Sequence, residues 1–261
     1  MSTPTEDHLR TDVEFLPGSP DLPGAIALLR AVGLGFTPRE VTVSHPGPRP
    51  IAFPFDDAAW ERILSTAGAR GFDLDMGNLE RPRLTCHAGS VGTEVQFSGM
   101  APPDQLLEVL LSTPGLILAV RGDGQDARWQ GEENPNHYRW WYDGEWEHLP
   151  RIVDKRGRER IDVSGNPGRV ISVAGVTLWA AQDLWFGPDA ALVVDYDAIP
   201  SLPVGRLTDL GEGRWHVRLW DDGTPLDEVR KAQQTLRDHL GFDAAAERVD
   251  EIRAALKERA V

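Results

Sequence analysis

The segment His137–Pro150 (HYRWWYDGEWEHLP) constrains the fold of this chain more than any other stretch. The dipeptide Asp143-Gly144 lies between two runs of aromatic residues, which is the strongest short-range signal for a β-hairpin. The type I′ turn that this dipeptide favours sets the register and predicts a cross-strand pair of Trp141 with Trp146. Alternation then places six side chains together on the opposite face: Tyr138, Trp140, Tyr142, Glu145, Glu147 and Leu149.

That opposite face, with its rings and carboxylates, has two interpretations. In the first interpretation the face is part of the core, because most Trp side chains in proteins are largely buried. Alternatively it is open to a partner, because Trp and Tyr dominate the energetics of protein interfaces. We predict the second role and take four residues as partner-binding, with a basic protein as the partner: Trp140, Tyr142, Glu145 and Glu147.

The composition predicts a folded cytoplasmic protein. The chain has 261 residues, of which 41% are hydrophobic, and this content excludes disorder throughout. No apolar run approaches the length of a membrane span, so no membrane association is expected. The first twenty residues lack a basic stretch followed by an apolar one, so no secretory signal is visible. Cys86 is the single cysteine and cannot form an intramolecular disulfide.

The charge of the chain is strongly negative and unevenly distributed. The net charge is −14, and residues 1–150 carry 22 acids against 11 arginines and no lysine. Nucleic-acid binding requires basic patches, so this balance argues against it. An acidic surface instead attracts a basic protein and keeps the molecule soluble. Arginine outnumbers lysine 24 to 3, which is typical of GC-rich bacterial genes.

Helix and strand signals along the chain predict the fold class. Alternating or apolar runs indicate strands, such as Glu40–Ser44, Leu116–Arg121 and the central Ala190–Asp195. Pro23–Val32 has helical spacing. Near the end, Pro225 begins a helix that stops at Gly241, and a second helix follows. We predict an α+β fold: a mainly antiparallel β-sheet with helices packed on one face and a C-terminal αα-hairpin. Two further assignments are a loop at Gly122–Asp126 and a short helix at Ala180–Trp185.

The domain organisation follows from the same patterns. Residues 1–20 are polar and rich in proline, and we predict a flexible arm there. Residues 21–261 are predicted to form a single α+β domain. A subdivision near residue 150 is an alternative, with an acidic half over 21–150 and a β-meander plus helical hairpin over 151–261.

Candidate catalytic and metal-binding residues occur without a decisive pattern. Asp195-Tyr196-Asp197 follows an apolar run, where carboxylates at a strand end can hold a divalent metal. A second group of metal donors lies near the predicted hairpin: Glu132, Glu133, His137, Glu147 and His148. Nothing in the spacing forces either group to converge. We therefore predict no cofactor, no metal and no catalytic residue.

Two classes of function fit these observations. The first is a non-catalytic cytosolic protein that binds another protein through an acidic and aromatic surface. Acidic, compact α+β proteins without catalytic signatures are common among bacterial toxin-neutralising (immunity) proteins. The alternative is an enzyme with a carboxylate and histidine site, a transferase or hydrolase, with a divalent metal as one option. The sequence leaves the identity of the partner or substrate and the oligomeric state open.

Overall fold

A computed structural model describes residues 8–77, 81–89, 92–142 and 144–259. The strands in these ranges are β1 (Leu9–Phe15), β2 (Glu40–Ser44), β3 (Ile51–Pro54), β4 (Gly71–Asp75), β5 (Arg83–Ala88), β6 (Thr93–Ser98), β7 (Leu116–Asp123), β8 (Arg151–Val153), β9 (Glu159–Ile161), β10 (Ile171–Val173), β11 (Val176–Leu178), β12 (Asp183–Phe186), β13 (Arg206–Gly211) and β14 (Arg214–Arg218). The helices are α1 (Leu22–Val32), α2 (Ala59–Ser65), α3 (Asp104–Ser112), α4 (Gly124–Gly131), α5 (Pro135–Trp141), α6 (Leu226–Leu240), α7 (Phe242–Glu247) and α8 (Val249–Arg259).

One large sheet organises the molecule. Among the described residues it has ten strands in the order β13-β14-β12-β7-β1-β6-β5-β4-β2-β3, and their pairings are antiparallel. The pairs β8–β9 and β10–β11 form two small separate sheets. The predicted α+β class with a mainly antiparallel sheet is therefore confirmed.

Strand β1 lies in the middle of this sheet, between β6 and β7. Val13 pairs with Val95 on one side and with Ala119 on the other. The predicted flexible arm is therefore wrong for residues 9–15, and residues 1–7 lie outside the described residues. Polar composition misled the prediction, because Asp12 and Glu14 are buried in the sheet instead of facing solvent.

Two hydrophobic cores lie on opposite faces of the sheet. Ala119 and Leu118 are neighbours on β7 and point to opposite faces. Ala119 belongs to a core that α1 and α3 cover, whereas Leu118 belongs to a core that α6, α7 and α8 cover. Helices thus cover one face in each half of the sheet, and the covered face changes at β7. The predicted single covered face holds within each half only.

The C-terminal helices follow the predicted start and stop signals closely. Helix α6 ends at Gly241, which has a φ of 66° and adopts the left-handed conformation that glycine allows. Its backbone N–H donates to the carbonyl oxygen of Arg237. The second predicted helix is interrupted at Arg248, which separates α7 from α8.

Three assignments from the sequence are wrong. The predicted central strand Ala190–Asp195 is largely a 3-10 turn over Pro188–Leu192, because a short apolar run fits a buried turn as well as a strand. The predicted helix Ala180–Trp185 is replaced by β12, whose four residues are all buried. The predicted loop Gly122–Asp126 contains the first residues of α4.

No helix in the described part of the chain combines the length and the apolar character that a membrane span requires.

Candidate functional site

Residues 137–141 of the segment predicted as an aromatic hairpin lie in helix α5. Asn134 caps this helix, and its side-chain oxygen accepts a hydrogen bond of 3.1 Å from the backbone N–H of Asn136. Pro135 occupies the first helical position, which its fixed φ favours. The predicted hairpin is therefore wrong: a capped helix start overrides the Asp-Gly signal. Asp143, in the predicted turn, lies outside the described residues.

Aromatic pairs at helical spacing stabilise α5. The ring centroids of His137 and Trp141 are 4.8 Å apart, and those of Tyr138 and Tyr142 are 5.3 Å apart. Each pair is separated by four residues, the spacing at which helical side chains meet. The predicted pair of Trp141 with Trp146 is replaced, because Trp146 stacks on Tyr138 with the centroids 6.0 Å apart.

Tyr138 anchors the helix to the rest of the protein. Its side chain is buried, and its hydroxyl donates a hydrogen bond of 2.8 Å to the carbonyl oxygen of Trp129 on α4. Burial, together with the nearby Glu132 carboxylate, raises the pKa of Tyr138 to about 12. The phenol therefore stays protonated and remains a donor throughout the physiological range.

Helix α4, which carries Trp129, is itself fixed to α6. The carboxylate of Asp126 forms an ion pair with Arg230 of α6, with an oxygen-to-nitrogen distance of 2.8 Å. The buried Gln130 accepts a hydrogen bond of 2.6 Å from the backbone N–H of Gly168. Its side-chain amide donates to Gln233 at 3.4 Å. Helix α5 therefore packs on α4, and polar contacts hold α4 in place.

Three neighbouring aromatic side chains of this region are open to solvent. Trp140 is 63% exposed, Trp141 is 55% exposed and Tyr142 is 36% exposed. We call these three residues the aromatic surface. Exposed side chains of this size are uncommon on a soluble protein and mark interaction sites when they cluster. Ile152 and Val153 of β8, the strand that follows this segment, are also exposed.

The structure places all four predicted partner-binding residues at the surface: Trp140, Tyr142, Glu145 and Glu147. It does not give them the single strand face that the hairpin predicted. Trp140 and Tyr142 are two positions apart at the end of a helix, so their side chains diverge. Trp140 contacts the ring of Trp141, whereas Tyr142 packs on Trp129 with the centroids 4.8 Å apart.

A cavity of about 290 Å³ opens beside the aromatic surface, between α4 and the end of α5. We call it the aromatic cavity. Its walls include three aromatic and two acidic side chains: Trp129, Trp141, Tyr142, Asp123 and Asp126. Asp123 caps α4 and accepts hydrogen bonds from the backbone N–H groups of Gln125 and Asp126. The sequence did not predict this cavity, because the first residues of α4 fall in a predicted loop.

The residues with potential metal-ligand chemistry do not form a metal site in the described parts of the chain. The imidazole of His137 lies 2.7 Å from the carboxylate of Glu132, so two of the five predicted metal donors meet. No group of three His, Cys, Asp or Glu side chains arranged to hold a metal occurs within those parts. Asp195 and Asp197 are both exposed around the 3-10 turn Tyr196–Ser201.

A second group of polar contacts surrounds Asp183 on β12, the strand that pairs with β7. Asp183 of β12 is buried and contacts Arg121 at 2.9 Å, Arg218 at 2.7 Å and the imidazole of His216 at 3.0 Å. Burial alone would raise the pKa of Asp183, but the hydrogen bonds from His216 and Arg121 outweigh it and lower the pKa. With two arginines and an imidazole in contact with it, this carboxylate is suited to holding strands together and poorly suited to acting as a base.

No family model, curated protein or solved structure matches this chain.

Proposed function

We propose that this protein is a non-catalytic binding protein that captures a basic protein partner through the aromatic surface. The observation that carries the proposal is the exposure of three consecutive aromatic residues, Trp140, Trp141 and Tyr142, at the end of the anchored helix α5. Exposing large rings to water is unfavourable, and burying them against a partner recovers that free energy. Trp and Tyr are also the residues most enriched among those that dominate binding energy.

The rigidity of the site supports this function. Asn134 and Pro135 fix the start of α5, and Tyr138 fixes its buried side. A surface that is already ordered loses little conformational entropy when a partner binds. The exposed side chains of Ile152 and Val153 on β8 offer additional apolar area after the aromatic segment.

The charge of the protein supports a basic partner. The net charge is −14, and Glu145 and Glu147 are exposed directly after the aromatic helix. Opposite charges on two proteins accelerate their encounter, and salt weakens this acceleration. A bacterial cytoplasmic protein that neutralises a basic toxin combines these properties, and we assign the chain this immunity-type role.

The proposal is tested with immobilised protein and a cell extract of the source organism. The partner captured by the wild type is identified, purified and measured by surface plasmon resonance. We expect Trp140→Ser combined with Trp141→Ser to accelerate dissociation by about thirtyfold or more, because hot-spot residues contribute at least about 2 kcal/mol. We also expect the association rate of the wild type to fall as salt rises.

A matched control uses another exposed apolar side chain. Leu210 on β13 is 42% exposed, and Leu210→Ser should leave the dissociation rate unchanged. A purified partner that binds the tryptophan variant as tightly as the wild type would contradict the proposal. If the partner is a toxin, cells that produce it should grow only when they also produce the wild-type protein.

A further inference from the structure

The aromatic cavity has walls that suit a positive charge. Trp129 and Tyr142 meet at an interplanar angle of 64°, with their centroids 4.8 Å apart, and Trp141 adds a third ring to the wall. The face of an aromatic ring carries partial negative charge, so it attracts a cation within about 6 Å. Three rings around one cavity therefore favour a cationic group over a neutral one of the same shape.

The carboxylates of the cavity add to this preference. The charge of Asp126 is matched by Arg230. Asp123, in contrast, forms no ion pair within the described ranges, and its hydrogen bonds come from neutral backbone N–H groups. Asp123 therefore has no ion-pair partner among the described residues, and an incoming cation gains its attraction.

An arginine of the chain itself contacts two of these rings. The guanidinium of Arg128 lies 5.2 Å from the ring centroid of Trp129 and 5.9 Å from that of Trp141. Arg128 is not part of the cavity wall. A planar guanidinium stacks on an aromatic face and donates hydrogen bonds from its edge to a carboxylate, whereas an ammonium group is a compact, strongly hydrated charge.

We propose that the aromatic cavity binds the guanidinium group of an arginine side chain on the partner. This inference rests on the proposed function, since it assigns one residue type of the partner to one cavity beside the aromatic surface. At about 290 Å³ the cavity accommodates the guanidinium together with the methylene groups behind it. Asp123 supplies the charge, and Trp129, Trp141 and Tyr142 supply the rings.

The test is an NMR titration of the ¹⁵N-labelled protein with Nα-acetyl-arginine methylamide. The indole N–H signals of Trp129 and Trp141, assigned with Trp129→Phe and Trp141→Phe, should shift and saturate. The citrulline compound has the same shape without the charge and should bind about tenfold more weakly. Equal binding of the two compounds, or no saturable shift, overturns the proposal. Equal binding of Nα-acetyl-lysine methylamide overturns the choice of guanidinium.

Two variants and one control variant locate the site. Asp123→Asn keeps the helix cap, because Asn and Asp cap helices equally well, and should weaken binding of the arginine compound about threefold to tenfold. Trp140→Leu is the matched control for Trp141→Leu, since both residues are exposed but only Trp141 lines the cavity. Trp141→Leu should weaken binding, and Trp140→Leu should leave it unchanged. The reverse result overturns the assignment to this cavity.

The two proposals fail in different ways. If partner binding depends on Trp140 and Trp141 but the arginine compound does not bind, the cavity inference is overturned and the proposed function stands. If the compound binds but neither tryptophan affects the partner, the proposed function is overturned while the cavity remains a guanidinium site.

Discussion

Two buried carboxyl groups, those of Glu14 and Asp183, have opposite electrostatic environments. Glu14 of β1 is buried beside Asp12 and Glu94, and it accepts a hydrogen bond of 3.1 Å from the backbone N–H of Thr177. Burial, followed by repulsion from Glu94 and Asp12, raises the pKa of Glu14 well above its usual range. Asp183 contacts two arginines and the imidazole of His216, and its pKa is lowered.

Glu14→Gln should stabilise the protein at alkaline pH. A raised pKa in the folded state means that the contribution of Glu14 to stability is complete below its unfolded pKa and is lost as the pH rises through its folded pKa. Glutamine has nearly the same shape and no charge to desolvate. We expect the free energy of unfolding at pH 8 to increase on the order of 1 kcal/mol, with a much smaller gain at pH 4. Urea unfolding at both pH values measures this, and equal changes would refute it.

Asp183→Asn should destabilise the protein at neutral pH. The substitution leaves Arg121, Arg218 and His216 without their shared carboxylate, and we expect a loss of roughly 3 kcal/mol in the free energy of unfolding. Because the pKa of Asp183 is lowered, its contribution is present above the unfolded pKa and is lost as the pH falls through the folded pKa. Chemical denaturation from pH 7 to pH 2 records both effects. Asp197→Asn, at an exposed position, is the control and should change stability little.

At the scale of elements, signals that act within a few residues predicted the structure well. The helical spacing of Pro23–Val32 matches α1, and Gly241 ends α6 as predicted. Elements that depend on distant partners were missed. Strand β1 is stabilised by β6 and β7, and β12 by β7 and β14, and no local pattern reports such pairing.

The candidate site was predicted only in part for the same reason. The sequence identified the aromatic residues, and the structure leaves Trp140 and Tyr142 exposed. The aromatic cavity needs Asp123 and Trp129 from α4, and the position of α4 depends on its contacts with α6, a hundred residues further along the chain. Periodicity and turn signals describe neighbouring residues, so they do not predict a contact between residues this far apart in the chain.

Helix α5 should depend on its cap. Asn134→Ala removes the side chain that accepts from Asn136, and loss of such a cap costs about 1 kcal/mol. We expect the Tyr142 amide, which donates to the carbonyl of Tyr138, to exchange its hydrogen about fivefold faster. Hydrogen exchange followed by NMR measures this. Glu145→Ala, at an exposed position after the helix, should leave the rate unchanged, and an equal acceleration would contradict the role of the cap.

At the scale of the whole molecule, one sheet joins two cores. Leu29 of α1 lies in one core and Leu236 of α6 in the other, and both are buried. We expect Leu29→Ala and Leu236→Ala each to lower the free energy of unfolding by about 2–5 kcal/mol. Because β7 and β12 contribute side chains to both cores, both variants should shift the same cooperative transition. Circular dichroism and tryptophan fluorescence should give coincident melting curves. Two separate transitions would instead indicate independent halves on either side of residue 150.

The position of β1 between β6 and β7 also affects folding during synthesis. Val13 leaves the ribosome well before Val95, and longer still before Ala119, yet it pairs with both. Until β6 and β7 have been synthesised, β1 therefore lacks its partner strands and its apolar side chains remain exposed. Folds built on such distant pairings form slowly, and their unpaired strands are targets for chaperones and for aggregation. The rate of translation and the supply of chaperones should accordingly set the yield of native protein in a cell.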